Sequence, residues 1–141
     1  MTGSPDPFTG TWKLSLADSH LTSPAPRSWI QEIEITDDRV RVREEVLLAG
    51  GASINTTVAA RFDGRDYPVG GSPLADTIAY TRLDSHHLSA TAKKAGRVTL
   101  TEMVSISPDG NTLTLTYCIV GRGGPTANSV AVFRREPGDL P

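Results

Sequence analysis

The chain has 141 residues, of which 38% are hydrophobic and 21% are charged, a composition typical of one globular domain. Its 14 basic and 16 acidic residues give a net charge of −2, and no basic stretch could neutralise a run of phosphates, which argues against a nucleic-acid partner. The single Cys118 excludes an intramolecular disulfide and a multi-cysteine metal site.

The N-terminal residues 1–7 carry neither the positive charge nor the apolar run of a signal peptide. No apolar run in the chain approaches the length of a membrane span. We therefore expect a cytoplasmic protein without a membrane partner. Residues 8–137 are predicted to form one domain, between a disordered N-terminal tail over residues 1–7 and a C-terminal tail over residues 138–141.

Alternation of apolar and polar residues with a period of two dominates the chain and predicts short strands. The predicted strands cover residues 11–16, 29–35, 39–48, 54–62, 77–83, 87–93, 97–106, 112–120 and 129–135. Tight turns such as Asp63-Gly64 join them, whereas residues 67–73 form a Gly- and Pro-rich excursion. Such short connections predict an all-β fold, a single antiparallel up-and-down barrel of about eight to ten strands that is wide enough for a ligand.

The opening segment FTGTWKL, at residues 8–14, resembles the Gly-x-Trp strand of calycins, the superfamily of lipocalins and fatty-acid-binding proteins. The segments DGRDYPV at residues 63–69 and PDGNTLTLT at residues 108–116 are similar to those of small bacterial lipocalin-like proteins. The resemblance implies a calycin barrel over nearly the whole chain. It also implies that Trp12 closes one end, where a basic side chain of the last strand, Arg134 or Arg135, packs across it. We assign this structural latch to Trp12 and Arg134.

Two departures from the fatty-acid-binding proteins bear on the ligand. Their first strand is followed by a two-helix lid, but residues 17–28 are too short and too rich in proline to form one. Their last strand presents an Arg-x-Tyr pair that grips a carboxylate, whereas the aligned positions hold Ala131-Val132-Phe133. The resemblance therefore implies a neutral, hydrophobic or aromatic ligand rather than a fatty acid.

Two glutamates interrupt otherwise apolar strand faces. Glu44 shares its face with Val40, Val42, Val46 and Leu48, and Glu102 shares its face with Val98, Leu100, Val104 and Ile106. A carboxylate in an apolar cavity has its pKa raised by desolvation and can act as a general acid or base. Alternatively, a bulge at the Glu44-Glu45 doublet turns Glu44 outwards, or each glutamate pairs with an arginine.

Aromatic and apolar residues on the same faces are candidates for the ligand site. Tyr80 and Tyr117 could present hydroxyl groups that orient a carbonyl or stabilise an enolate, although a barrel tyrosine usually packs its ring and bonds locally. The predicted walls of the cavity are Trp29, Val42, Phe62, Leu100 and Phe133.

The remaining reactive residues predict no metal or cofactor. His86 and His87 are adjacent in a strand, so they point to opposite faces and cannot line one interior site. Cys118 is interpreted as a small packing residue, because no histidine accompanies it at a recognisable position.

The leading hypothesis is therefore a barrel that binds a small hydrophobic molecule in its lumen, as a monomer or homodimer. An alternative is a cofactor-independent cyclase, isomerase or dehydratase of natural-product type, in which Glu44 or Glu102 moves a proton and Tyr80 or Tyr117 polarises a carbonyl. A third possibility is a stress or scaffold protein with a packed interior. A cavity of roughly 300 Å³ or more would exclude that third class.

Overall fold

The computed structural model describes residues 5–22, 24–125 and 127–136, and contains eleven strands and one 3-10 turn there. The strands are β1 (Gly10–Leu14), β2 (Ser28–Thr36), β3 (Arg39–Leu47), β4 (Ser53–Arg61), β5 (Tyr67–Gly70), β6 (Thr77–Asp84), β7 (His87–Lys94), β8 (Arg97–Ile106), β9 (Thr112–Gly121), β10 (Gly124–Pro125) and β11 (Ser129–Arg135). The 3-10 turn, Leu16–Asp18, overlaps the start of residues 17–28, the segment for which we predicted no two-helix lid.

The strands form a closed antiparallel barrel with up-and-down connections. Strands β1 to β9 pair in chain order, β11 then pairs with β9 and with β1, and β10 adds two residues to the end of β9. Ten strands therefore surround the interior, which confirms the predicted all-β barrel. The excursion predicted at residues 67–73 contains a short strand, β5, which joins β4 to β6 through only a few pairs.

One end of the barrel is filled by the largest buried side chains. Trp12, Phe8, Phe133 and Leu113 are fully buried and belong to one continuous apolar core. The Trp12 indole donates a hydrogen bond to the Phe8 carbonyl at 3.0 Å, which satisfies its only polar atom. Buried side chains fill this end of the barrel, and none of these four is among the described residues that line the interior space.

The latch forms with Arg135 rather than Arg134. Arg135 is the register partner of Trp12, and its guanidinium lies over the indole ring, 4.2 Å from the centroid. Arg134 points to the opposite face, where it donates a 2.8 Å bond to Asp18. Our assignment of the latch to Arg134 was wrong because adjacent residues of a strand face opposite sides of the sheet.

The segment before β1 is anchored to the barrel. Asp6 accepts two hydrogen bonds from Arg82 on β6, at 2.6 and 3.2 Å, and the Pro7 carbonyl accepts one from Arg135 at 2.9 Å. Residues 5–7, which we predicted to be part of a disordered tail, thus have defined contacts. Residues 1–4 and the predicted C-terminal tail over residues 138–141 lie outside the described residues.

A β-bulge changes the predicted inner face of β8. Leu100 pairs with Ala92 on β7, but Val98 pairs with Lys93, so the register shifts by one residue between them. Val98 consequently leaves the apolar face and is 38% exposed. Glu102 lies beyond the bulge and stays in phase with Leu100.

Candidate functional site

The barrel encloses a cavity of about 200 Å³ beyond the packed end. Its walls are mainly aliphatic, from Ile33, Val40, Val42, Val58, Val69, Leu74, Ile78, Leu88, Leu100, Val104 and Leu115. The volume is below the roughly 300 Å³ at which small-molecule pockets usually begin, so our criterion for excluding a packed interior is not met. A dry apolar cavity of about 150 Å³ nevertheless holds benzene, so this lumen suits a molecule of one or two rings.

Glu44 faces this cavity from the middle of β3. It pairs in register with Gln31 on β2 and Thr56 on β4, and all three side chains line the lumen. The Gln31 amide Nε2 donates a 2.8 Å hydrogen bond to Glu44 Oε2. The suggested bulge at Glu44-Glu45 is absent, because the β3 register runs without a shift through both residues.

Burial raises the pKa of Glu44, because the surrounding apolar walls disfavour its charged form. The Trp29 indole N–H and the Gln31 amide act in the opposite sense and favour the carboxylate. The Trp29 Nε1 itself is buried and has no hydrogen-bond partner of acceptable geometry among the described residues. Burial outweighs these donors, so the pKa of Glu44 is raised overall, but Glu44 is the lumen carboxyl group that has donors to favour its charged form.

Glu102 faces the same cavity from β8, between its register partners Ala90 on β7 and Tyr117 on β9. Its side chain makes no hydrogen bond or ion pair with the part of the chain that the structure describes. Burial, and then the negative charge of Glu44, raise the pKa of Glu102 to about 8. This carboxyl group is therefore mainly protonated at neutral pH.

Tyr80 and Tyr117 complete the polar surface of the lumen. Burial raises the pKa of Tyr80 well above its usual value, with additional contributions from Glu102 and Glu44. Burial likewise raises the pKa of Tyr117, against an opposing effect of the Ser129 hydroxyl. Both phenols therefore stay neutral at physiological pH and can act as hydrogen-bond donors.

Three of the five predicted wall residues line the cavity, namely Trp29, Val42 and Leu100. Phe133 is instead fully buried, where it supports Trp29 through an edge-to-face contact at 5.1 Å between ring centroids. Phe62 follows the end of β4 and packs edge-to-face against Tyr80 at 6.3 Å. Neither phenylalanine is among the described residues that line the lumen.

Sequence reasoning missed two parts of the site. Gln31 has the same strand parity as Trp29 and Ile33, and this could have marked it as the partner of a lumen carboxylate. The loop between β5 and β6 contributes Ser72, Leu74 and Ala75 to the wall. The place of this loop in the cavity wall could not be predicted, because its Gly- and Pro-rich sequence has no alternation of apolar and polar residues.

The histidines and the cysteine lie apart from the cavity walls. His86 and His87 are at the turn between β6 and β7, where both contact Asp84. Cys118 is buried on β9, where its thiol donates a weak hydrogen bond to the Ile119 carbonyl at 3.7 Å. Within the described ranges, no group of three or more His, Cys, Asp or Glu side chains is arranged to hold a metal ion. No helix there is long and apolar enough to cross a membrane.

Comparison with known proteins supports the fold. The structure is similar to the crystal structure of the zebrafish ileal bile acid-binding protein complexed with cholic acid, with a TM-score of 0.61 and 14% sequence identity. The alignment covers 92% of this chain and 99% of that one. No protein-family model matches the chain. No curated protein matches it either.

At 14% identity, this similarity establishes the architecture and nothing about the ligand. The chain has the fold of the calycins, a ten-stranded barrel with an interior cavity.

Proposed function

We propose that this protein binds a small hydrophobic molecule, neutral or aromatic, inside the barrel. The observation that supports this proposal is the largely apolar cavity of about 200 Å³ inside the closed barrel. The zebrafish protein of similar fold is complexed with cholic acid, which is consistent with a barrel of this type serving as a binding site. A lumen of about 200 Å³ favours a ligand of one or two rings over a sterol-sized acid.

The chemistry of the lining supports a ligand without a carboxylate. None of the described lining residues is Lys, Arg or His, whereas Glu44 and Glu102 are both present. An anionic ligand would meet two carboxyl groups and no compensating cation in a low-dielectric interior. The cytoplasmic location and the monomeric or dimeric state remain predictions.

The test is to identify what the lumen holds. Protein purified under native conditions is analysed by native mass spectrometry, and the released molecule is identified. We expect a hydrophobic molecule of about 10–15 non-hydrogen atoms, because the cavity could hold no more without expanding.

Filling the lumen gives the matched control. Ala92 on β7 lines the cavity, so Ala92→Leu should abolish retention of the ligand, whereas Ala59→Leu on the exposed outer face of β4 should not. Retention that is equal in the two variants would place the bound molecule outside the lumen and refute the proposal.

A second candidate is a cofactor-independent cyclase, isomerase or dehydratase on the same barrel. The observation that favours it is the unequal environment of the two lumen carboxyls, since Glu44 has donors and Glu102 has none among the described residues. Paired carboxyls with separated pKa values can divide the roles of base and acid. Once a substrate is identified, Glu102→Gln should abolish turnover without abolishing binding. Full turnover by both Glu44→Gln and Glu102→Gln would exclude this candidate.

A further inference from the structure

The charges of the lumen are unbalanced. Glu44 on β3 and Glu102 on β8 are the acidic groups, and the other titratable groups that face them are the phenols of Tyr80 on β6 and Tyr117 on β9. Strands β2, β4, β5 and β7 contribute uncharged residues to the wall. Within the described chain, the lumen therefore contains acids and donors but no cation.

Glu44 is held as an acceptor that points into this space. Gln31 binds Oε2 and fixes the orientation of the carboxylate, while Oε1 has no hydrogen bond among the described residues. The Trp29 N–H adds a further bias towards the anion. An ionised carboxylate in an apolar cavity without a counter-cation is costly, and a positively charged ligand would remove that cost.

Glu102 supplies a second acceptor within electrostatic range of the first. The charge of Glu44 is felt at Glu102, Tyr80 and Tyr117 alike, so these four groups belong to one site. The rings of Trp29, Tyr80 and Tyr117 form the adjoining walls, and aromatic rings attract ammonium groups.

We propose that the ligand is a hydrophobic amine, whose nitrogen lies between Glu44 and Glu102 and whose apolar body fills the aliphatic part of the lumen. This proposal rests on the proposed binding function and narrows its ligand to a hydrophobic molecule that carries an amine and is cationic in the site rather than neutral. An ammonium group has three N–H donors and no acceptor, so it matches a site that offers carboxylate oxygens. An alcohol of the same shape could donate only one hydrogen bond, and an acid would be repelled.

Binding of the amine is coupled to a proton. Glu102 carries a proton at pH 7, because its pKa is about 8 in the empty lumen. When an ammonium ion binds, Glu102 loses that proton to solvent and becomes the second carboxylate of the ion-paired site. When the neutral amine enters, the same proton moves from the Glu102 oxygen to the nitrogen. Only the ammonium form of the free ligand therefore gives net proton release on binding.

The experiment compares three probes of one shape, 1-naphthylmethylamine, 1-naphthalenemethanol and 1-naphthoic acid, by isothermal titration calorimetry at pH 7. We expect the amine to bind at least about tenfold more tightly than the alcohol, and the acid to bind weakest. Glu44→Gln and Glu102→Gln should each weaken amine binding about tenfold or more, with the alcohol affected less than about threefold. Glu45→Gln, at the next and outward-facing position of β3, should change neither.

A second readout counts the protons. Repeating the amine titration in phosphate and Tris buffers should reveal release of roughly one proton per bound amine, and Glu102→Gln should abolish that release. Because the alcohol probe also binds the variants, its titration shows that they have folded.

The amine proposal is overturned if the alcohol binds as tightly as the amine, or if neither glutamine variant weakens amine binding. In that case the binding of the alcohol is tested with Ala92→Leu. If this variant no longer binds the alcohol, the lumen still binds a hydrophobic molecule and the proposed function stands. If none of the probes binds, the amine proposal fails, and native mass spectrometry of the purified protein then decides separately whether the lumen holds another molecule.

Discussion

Arg135 covers the ring of Trp12, with its guanidinium carbon 4.2 Å from the ring centroid, and thereby joins the last strand to the first. The same guanidinium donates hydrogen bonds to the carbonyls of Thr9, Pro7 and Gly110, at 2.7, 2.9 and 3.1 Å. These three contacts leave its polar atoms well satisfied although the group is partly buried. The latch thus stabilises the end of the barrel that Trp12 fills, apart from the residues that line the lumen.

The two adjacent arginines provide a matched pair of variants. Arg135→Ala should lower the free energy of unfolding by about 2–3 kcal/mol, since it removes a cation–π contact and three charged hydrogen bonds to partly buried carbonyls. Arg134→Ala removes exposed contacts, an ion pair with Asp18 and a hydrogen bond to the Thr112 hydroxyl, and should lower the free energy of unfolding much less. Urea unfolding followed by circular dichroism measures both. An equal loss in the two variants would contradict the assignment of the latch to Arg135.

Glu102 makes the stability of the empty protein depend on pH. Its carboxyl group has a pKa of about 8 in the folded protein, against an ordinary value of 4.5 in the unfolded chain. Between these two pH values the folded protein therefore binds more protons than the unfolded chain. Stability therefore falls as the pH rises through this window. We expect the free energy of unfolding to be about 2–4 kcal/mol lower at pH 8.5 than at pH 5.

Glu102→Gln should make this decline shallower and leave only the part that the raised pKa of Glu44 contributes, and the variant should be more stable than the parent at pH 8.5. The measurement is the urea midpoint at half-unit pH intervals. Glu45→Gln, which changes an exposed carboxylate of the outer face, should retain the parental slope. A parental profile without a decline between pH 5 and pH 8.5 would show that Glu102 is not buried as described.

The sequence predicted the barrel well wherever alternate residues of a strand kept facing the same side of the sheet. Alternation in β3 and β8 put Glu44 and Glu102 in phase with apolar residues but left open whether they face the lumen. The structure places both on its wall, because a half-buried strand alternates wherever its register is unbroken. The bulge between Ala92 and Lys93 broke that rule for Val98, and no residue in the sequence marks its position. The latch was within reach of the sequence, because Arg135 has the same parity as the buried Ala131 and Phe133.

The shape of the lumen was less accessible from the sequence. Whether an inward aromatic side chain lines a cavity or fills the core depends on its height along the barrel axis, which parity does not reveal. Trp29 and Phe133 both point inwards, yet only Trp29 reaches the space, and Phe133 packs beneath it. The hydrogen bond from Gln31 to Glu44 likewise depends on the register between β2 and β3, which turn residues alone do not specify.

The backbone conformation at position 71, in the loop between β5 and β6, requires a glycine. It has a φ of +81°, and a Cβ added there would overlap the Asn55 carbonyl oxygen on β4. Gly71→Ala should therefore destabilise the protein by more than about 2 kcal/mol. Gly50→Ala, at a turn with nothing within 4 Å of the added carbon, should change stability by less than about 0.5 kcal/mol. Thermal unfolding of both variants measures the difference, and a Gly71→Ala variant as stable as the parent would contradict this close approach.

The ion pair between Asp6 and Arg82 should couple the segment before β1 to the far side of the sheet. Its side chains are 19% and 22% exposed, and the guanidinium lies 5.4 Å from the Phe8 ring centroid and 5.6 Å from that of Phe62. Because the pair is largely removed from water, a double-mutant cycle of Asp6→Ala and Arg82→Ala should give a coupling free energy of about 1–2 kcal/mol.

The pair of Glu32 and Arg43 is the control for this cycle. Its atoms are 3.8 Å apart, with side chains 55% and 77% exposed, so solvent screens the attraction and the coupling should be below about 0.5 kcal/mol. Raising the salt concentration to 1 M should reduce the Glu32–Arg43 coupling further, while most of the Asp6–Arg82 coupling persists. If the Asp6–Arg82 coupling is no larger than the control, Asp6 does not anchor the N-terminal segment. The contact of Arg135 with Pro7 would then be its principal attachment.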